Sequence, residues 1–156
     1  MPESPTTTRV GEREVTITRV FDAPREVVWK AWTEPDQFAN WFGSPPYTTP
    51  AETVSMDVRP GGRWSAKMVS DEDGSELPFS GEYREVVEPE RLVLTFDDPN
   101  DPGANVEVLT ITFTDLGDRT EVVAHQAGHL PQEEYPQLAE GYSSFFDRLA
   151  EHLARG

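Results

Sequence analysis

Short stretches in which hydrophobic and polar residues alternate run through most of the chain, and this two-residue period predicts β-strands. The first stretch is Glu14–Phe21, and the others come later, at 54–58, 63–68, 79–87, 92–96, 109–113 and 120–126. Prolines, glycines and aspartates separate these stretches, as in the Pro-Gly-Gly turn at 60–62. Because short turns join antiparallel neighbours, the pattern predicts an antiparallel sheet of about seven strands.

Helical spacing replaces the alternation in two regions. The segment after Pro24 has apolar residues on one helical face and stops before Pro35, and a second short helix is predicted at 36–41. From Pro131 onward apolar residues recur every three or four positions, which predicts a C-terminal helix of about five turns. The sheet must bury one face, and this helix is the element long and apolar enough to cover it. The sequence therefore predicts an α+β fold in which a strongly curved sheet grips the C-terminal helix.

Charge and composition exclude several classes of function. The net charge is −16, from 29 acidic and 13 basic residues, so the surface repels phosphate backbones and anionic lipid heads. The absence of cysteine excludes disulfides, thiolate nucleophiles and cysteine-bound metals. No segment approaches the roughly 20 apolar residues that span a membrane. We expect a cytoplasmic protein that binds no nucleic acid and has no membrane span, with a disordered leader at 1–12 and one domain at 13–156.

Three of the four tryptophans lie in one short aromatic segment. Trp29, Trp32 and Phe38 belong to short helices that need apolar anchors, so core packing explains some of them. Trp41 and Phe42 end a helix and precede a Gly-Ser-Pro-Pro loop, and they are interpreted either as core or as the lip of a cavity. A surface that binds a partner protein is the third interpretation.

Small and polar residues lie among large ones on the predicted inner face of the sheet. Ala66, Gly81, Thr120 and Gln126 alternate with bulky side chains, whereas a solid core would fill that volume. Gly141, in the middle of the C-terminal helix, costs about 1 kcal/mol relative to alanine. Either close approach of the sheet or room for a ligand has to explain it. Together these positions favour a cavity between the sheet and the helix.

Four stretches of the chain, in this order and spacing, resemble a known family. They are FDAPREVVWKAWTEPDQFANWFG (21–43), DVRPGGRW (57–64), GEYREVVEPERLVLTF (81–96) and EGYSSFFDRLAEHLA (140–154). They are similar to the START-like superfamily, also called SRPBCC, which has the helix-grip fold of birch-pollen allergens, and within it to homologues of the activator of the heat-shock protein 90 ATPase. Where that family usually has Gly-Trp in the last helix, this chain has Gly141 and Tyr142, which places a hydroxyl in the position of the indole and changes the polarity of the pocket.

The resemblance implies a cavity for a lipid-, polyketide- or flavonoid-like molecule between the long helix and the sheet. Combined with the inward strand positions, it predicts a small hydrophobic molecule as the partner. The predicted wall consists of apolar residues and a few polar groups that orient the ligand, namely Trp32, Trp41, Met56, Trp64, Met68, Phe79, Tyr83, Phe96, Phe113, Gln126, Tyr142 and Phe145.

Two other functions stay open. A cyclase or hydrolase acting on a polyketide-like substrate would use Glu85 and Tyr142 for proton transfer, because Glu85 shares strand parity with Tyr83 and is expected to face inward. A paired structural carboxylate is the favoured interpretation of Glu85. A module that binds a chaperone or a regulator would instead expose an apolar patch around Trp41 and Phe42. Binding of a small molecule without catalysis is favoured over both.

No cofactor or metal site is predicted. His125 and His129 are four residues apart, a spacing that suits metal binding on a helix, but they fall on a strand end and a loop, and no third ligand has a suitable spacing. The serines at 143–144 lie in mid-helix without a histidine spaced to activate them. The chain is expected to be a monomer or a weak homodimer.

Overall fold

The structure, a computed structural model, describes residues 6–43, 47–97, 106–128 and 130–154. The predictions for the leader at 1–5, the Ser-Pro-Pro loop at 44–46, the acidic loop from residue 98 and His129 lie outside these residues. The described strands are β1 Thr7–Gly11, β2 Glu14–Phe21, β3 Tyr47–Thr48, β4 Ser55–Met56, β5 Arg63–Ser70, β6 Glu76–Val87, β7 Arg91–Phe96, β8 Glu107–Asp115 and β9 Thr120–Ala127. The α-helices are α1 Arg25–Thr33, α2 Pro35–Trp41 and α3 Tyr135–Ala154.

The described strands form one curved, unclosed antiparallel sheet in the order β1-β2-β9-β8-β7-β6-β5-β3, with β4 also paired to β5. The two short helices follow β2, and α3 comes after the last strand. Contacts with β1, β2, α1 and α2 hold α3 against the sheet. The predicted α+β helix-grip fold is confirmed.

The sheet has more strands than the seven predicted. The two additional strands, β1 and β3, were not predicted because they are short and lack hydrophobic alternation. β1 pairs with β2, and Val10 lies opposite Val15. Almost all of its residues are exposed, so backbone hydrogen bonds rather than burial of side chains place it at the sheet edge. The disordered leader predicted at 1–12 is therefore wrong for Thr7–Gly11. The other added strand is β3, which contributes only two residues opposite the end of β5.

Regular alternation in β2 produces its buried face. Val15, Ile17, Arg19 and Phe21 are buried, and the residues between them are not. The buried Arg19 has an ionic partner, since its Nη1 lies 2.6 Å from Oδ1 of Asp147 on α3. The ion pair links α3 to β2.

The two short helices are attached by aromatic contacts. The ring of Trp29 on α1 lies 5.4 Å from the ring of Phe113 on β8, in an edge-to-face arrangement. Trp41 on α2 donates its indole N–H to the carbonyl oxygen of Ala31 at 2.9 Å, which joins α2 to α1. Core packing therefore explains Trp29, as predicted, and the short helices cover one end of the sheet.

Candidate functional site

A cavity of about 620 Å³ lies between the sheet and α3. Its wall includes residues of all three α-helices and of strands β3 to β9. Most wall residues are aromatic or aliphatic, and the polar groups are few. Both the volume and this composition are typical of small-molecule sites, which measure about 300–1,000 Å³.

Eleven of the twelve predicted wall residues line this cavity, namely Trp32, Trp41, Met56, Trp64, Met68, Phe79, Tyr83, Phe96, Gln126, Tyr142 and Phe145. Phe113 does not line it. Its strand parity places it on the inner face, but α1 covers this part of the sheet, and Phe113 is enclosed by the rings of Trp29 at 5.4 Å and Trp32 at 6.3 Å. It belongs to the solid core beside the cavity.

Phe42 connects the short helices to the far side of the cavity. Its ring stacks on Phe38 at 4.5 Å and lies 5.6 Å from Phe79 and 5.3 Å from Phe145. Phe42 and Trp41 line the cavity, yet only 5% and 1% of their surfaces are exposed. The exposed apolar patch predicted at these two residues for a partner protein is therefore wrong.

A buried polar network forms one corner of the cavity. Gln126 donates its amide Nε2 to Oε1 of Glu107 at 3.1 Å, and the Tyr135 hydroxyl donates to the same oxygen at 3.1 Å. The hydroxyl of Tyr142 donates to Oε1 of Gln126. These four residues come from β8, β9 and α3, so the network joins the helix to the middle of the sheet.

Both tyrosines of the network have a raised pKa. Burial, and then the negative charge of Glu107, raise the pKa of Tyr142 far above its usual value. Burial, followed by the same charge, also raises the pKa of Tyr135. Both hydroxyls are protonated at neutral pH, as in an ordinary tyrosine, and the raised pKa makes Tyr142 poorly suited to be a general base.

Sequence analysis missed Glu107, although it is buried and lines the cavity. The signal was present, because Glu107 shares strand parity with Leu109, Ile111 and Phe113, all of which are buried. Extending the alternation by two residues, from Leu109 to Glu107, places the carboxylate of Glu107 on the inner face.

The carboxylate predicted to face inward, Glu85, is on the outside. A β-bulge shifts the register between Tyr83, which pairs with Leu94, and Glu85, which pairs with Val93. The extra residue reverses the side-chain alternation, so Glu85 no longer follows the parity of Tyr83. Glu85 is exposed and forms an ion pair with Arg91. The parity argument for Glu85 is therefore wrong, whereas the interpretation as a paired structural carboxylate agrees with the structure.

Two glycines that the sequence analysis associated with open space differ in their surroundings. A Cβ on Gly81 would lie 1.6 Å from the carbonyl oxygen of Thr95 and 2.5 Å from Nε1 of Trp64, so close packing explains this glycine. A Cβ on Gly141 would meet nothing within 4 Å. Gly141 lines the cavity, and close approach of the sheet does not explain it.

His125, which the sequence analysis considered as a metal ligand, has a structural partner. His125 lies 2.7 Å from Oε1 of Glu14, on the outer face of the sheet. Among the described residues, no cluster of histidine and acidic side chains has the geometry to hold a metal ion. In the same part of the chain, none of the helices is both long and apolar enough to cross a membrane.

Comparison with known proteins gives a consistent result. The family model described as Activator of Hsp90 ATPase homolog 1-like protein matches residues 22–154. The crystal structure of a protein from Nitrosomonas europaea is 25% identical, with a TM-score of 0.79 over 94% of this chain and 97% of that chain. A protein from Mycobacterium smegmatis is 26% identical, with a TM-score of 0.78 over 97% of this chain and 99% of that one. The AHSA1 protein from Silicibacter pomeroyi shares the fold at 20% identity, with a TM-score of 0.77 over 91% and 98% of the two chains. No curated protein matches the chain.

Proposed function

Since this chain belongs to the family of Activator of Hsp90 ATPase homolog 1-like proteins, we propose that it binds a small hydrophobic or aromatic molecule in the cavity beneath α3. Lipid-, polyketide- and flavonoid-like molecules have the size and the apolar surface that such a wall would bury. The observation that carries the proposal is about 620 Å³ of space that aromatic side chains surround and do not fill.

The volume is too large to be a packing defect. Protein interiors are close-packed, and an empty apolar cavity costs about 24 cal/mol per Å³. At that rate a dry void of about 620 Å³ would cost about 15 kcal/mol, as much as the whole stability of a typical domain. The space therefore holds solvent or a ligand, and a wall made mostly of apolar side chains favours a ligand.

Gly141 supports the same conclusion from the helix side. A glycine in the middle of a helix is unfavourable by about 1 kcal/mol relative to alanine. An alanine Cβ here would meet no neighbour within 4 Å, so packing does not require the glycine. The residue keeps open a part of the cavity that any larger side chain would enter.

The proposal is tested by an NMR screen of the isotope-labelled protein against lipids, flavonoids and polyketides. Binding in the cavity predicts saturable shifts at Trp64, Tyr142 and Phe145, which line it. A well-dispersed spectrum that does not respond to any of these compounds would reject the proposal.

A matched pair of variants identifies the place of binding. Gly141→Leu directs a large side chain into the cavity, and we expect it to abolish or greatly weaken binding. Glu140→Leu introduces the same side chain at the neighbouring, exposed position of α3, and we expect it to leave binding unchanged. Equal effects of both variants would place the ligand elsewhere.

Catalysis by a cyclase or hydrolase has little support in this arrangement. Glu85 lies outside the cavity in an ion pair, and the raised pKa of Tyr142 opposes proton abstraction at neutral pH. We expect Glu85→Gln to leave any activity on a polyketide-like substrate, and its pH profile, unchanged.

Regulation of a chaperone is the second candidate, because the family is described by activation of the Hsp90 ATPase. The apolar residues Trp41 and Phe42 are buried, so the contact surface would lie elsewhere. The direct measurement is the ATPase rate of Hsp90 with and without this chain. An unchanged rate at saturating concentration, together with no binding in a pull-down, would exclude this role.

A further inference from the structure

We propose that the cavity binds elongated aromatic molecules with a hydroxyl group at each end, and that Tyr83 binds one end while Gln126 and Tyr142 bind the other. The inference rests on the proposed binding function and specifies its ligand class. It is carried by the positions of the buried polar side chains in the cavity wall and by the unpaired hydroxyl of Tyr83.

Apart from the tryptophans, the buried polar side chains of the described wall lie in two places. Glu107, Gln126 and Tyr142 form the polar corner, and Tyr83 lies on β6. The other polar residues of the described wall are half-buried or exposed, namely Tyr47, Asp97, Glu134 and Gln137. A ligand that fills the cavity therefore meets buried polar groups at these two places.

Strand register separates the two places by three strand spacings. Tyr83 pairs with Leu94, and Leu94 pairs with Leu109. Leu109 in turn pairs with Gln126, so the four residues form one row across β6, β7, β8 and β9, and all of them line the cavity. Since neighbouring strands are about 4.8 Å apart, the backbones at the two ends of the row are about 14 Å apart along the curved sheet. The floor between the two ends consists of leucines, which favours a ligand with an apolar middle.

The hydroxyl of Tyr83 is available to a ligand. Only 1% of the residue is exposed, and its hydroxyl forms no hydrogen bond with the described residues. A tyrosine hydroxyl can both donate and accept a hydrogen bond. A buried hydroxyl without a partner is unfavourable, so a ligand hydroxyl that pairs with it gains affinity.

The tryptophans of the wall are less suited to this contact. The indole N–H groups of Trp41 and Trp64 already donate to backbone carbonyl oxygens, both at 2.9 Å. The indole N–H of Trp32 has no partner among the described residues, but its nitrogen has almost no accessible surface. A ligand reaches that nitrogen only if the neighbouring aromatic rings move. Tyr83 is therefore the unpaired polar group that an incoming ligand can meet directly.

The opposite end can bind a hydroxyl in either direction. The hydroxyl oxygen of Tyr142 and the amide oxygen of Gln126, which share a hydrogen bond, keep lone pairs that can accept. The amide nitrogen of Gln126 carries two hydrogens, and one of them is directed to Glu107 at 3.1 Å. A ligand hydroxyl both donates and accepts, so its binding here does not depend on the order of donors or on the further contacts of Glu107.

The test is a titration of the full chain with biphenyl, para-hydroxybiphenyl and para,para′-dihydroxybiphenyl. A second series, trans-stilbene and its two corresponding hydroxyl derivatives, provides a longer spacing. Both skeletons are rigid, so the two hydroxyls lie at opposite ends of each molecule. In at least one series, we expect the first hydroxyl to tighten binding about fivefold and the second about fivefold again, each by one net hydrogen bond.

Two variants separate Tyr83 from other hydroxyls of the sheet. Tyr83→Phe keeps the ring, and we expect the gain from the second ligand hydroxyl to disappear while the gain from the first remains. Thr112→Val removes a hydroxyl from the outer face of β8, and we expect both gains to remain. Because the Tyr83 hydroxyl bonds to no described residue, Tyr83→Phe should unfold at the same urea concentration as the unmodified protein or at a higher one.

The outcomes distinguish this inference from the proposed function. If biphenyl, stilbene and all their derivatives fail to bind, the proposed binding of small aromatic molecules fails. If they bind but the second hydroxyl adds nothing in either series, ligand binding stands and the preference for two polar ends is overturned. A second gain that persists in Tyr83→Phe, or that is lost equally in Thr112→Val, would overturn the role of Tyr83. The ranking in the unmodified protein decides the preference even if Tyr83→Phe does not fold.

Discussion

The carboxylate of Glu107 lies so close to Gly128 that a methyl group on residue 128 would come within 1.8 Å of Oε2. Residue 128 immediately follows β9, whereas Glu107 begins β8. The glycine thus leaves the space in which the buried carboxylate meets Gln126 and Tyr135. A backbone position that sequence analysis would pass over as an ordinary strand end is part of the polar corner of the cavity.

The first prediction concerns this contact. Gly128→Ala must displace the Glu107 carboxylate, so we expect a loss of about 2 kcal/mol in the free energy of unfolding, typical of overpacking in a core. Urea unfolding measured by tryptophan fluorescence gives the value. Stability equal to that of the unmodified protein would mean that Glu107 can move without cost and that the contact is not restrictive.

The second prediction compares two glycines with opposite surroundings. Gly141→Ala meets no neighbour and should stabilise the fold by about 0.5–1 kcal/mol through helix propensity. Gly81→Ala would bring its methyl group to 1.6 Å from the Thr95 carbonyl oxygen, so it should destabilise by more than about 2 kcal/mol or prevent folding. Thermal unfolding of both variants provides the comparison. Destabilisation by Gly141→Ala would contradict the open space next to α3.

The third prediction concerns the hydroxyl of Tyr142. Tyr142→Phe removes the donor to Gln126, which leaves a buried amide oxygen without that bond and should cost about 1–2 kcal/mol. The ring stays, so the fold should survive while the preference among ligands changes. Two-dimensional NMR establishes whether the variant is folded. Titration of the variant and of the unmodified protein with the same lipids, flavonoids and polyketides establishes the preference among ligands. Global unfolding would show that Tyr142 is mainly a structural residue.

The fourth prediction is a loss of stability in alkali. Burial, with the charge of Glu107 as the second cause, raises the pKa of Tyr142 above its value in the unfolded chain. Burial, with the charge of Asp57 as the second cause, does the same for the pKa of Tyr83. Below the unfolded pKa of about 10 both states hold the proton, so the full stability is present. Above it, only the folded state holds the proton, and the free energy of unfolding should fall by about 1.4 kcal/mol per pH unit for each tyrosine.

Urea unfolding between pH 8 and 12 measures this slope, and Tyr142→Phe is its control. The variant lacks one of the titrating hydroxyls, so its stability should fall less steeply above pH 10. Identical slopes for the two proteins would show that Tyr142 ionises as easily in the folded state as in the unfolded one.

The alternation and helical spacing along the chain were sufficient to predict most of the fold. Regular burial of Val15 and Ile17 in β2, and of Leu109 and Ile111 in β8, is a local property that the order of residues already contains. The same is true of most of the cavity wall, because inward parity on a curved sheet under one long helix directs side chains such as Trp64 and Tyr142 to the same space. β1 was not predicted, because its placement depends on backbone pairing with β2 and not on burial of its side chains.

Tertiary structure alone decided the chemistry of the site. The bulge between Tyr83 and Glu85 adds one residue to a strand, and since side chains alternate with a period of two, it turns Glu85 outward. Phe113 has the predicted parity, but α1 covers it, and parity does not say which element lies above a strand. Glu107 meets Gln126, Tyr135 and Tyr142 only because β8, β9 and α3 come together in space. The sequence by itself thus determined most of the buried faces, because periodicity is local, whereas the outward turn of Glu85 and the partners of each buried polar group depended on register and on packing between distant segments.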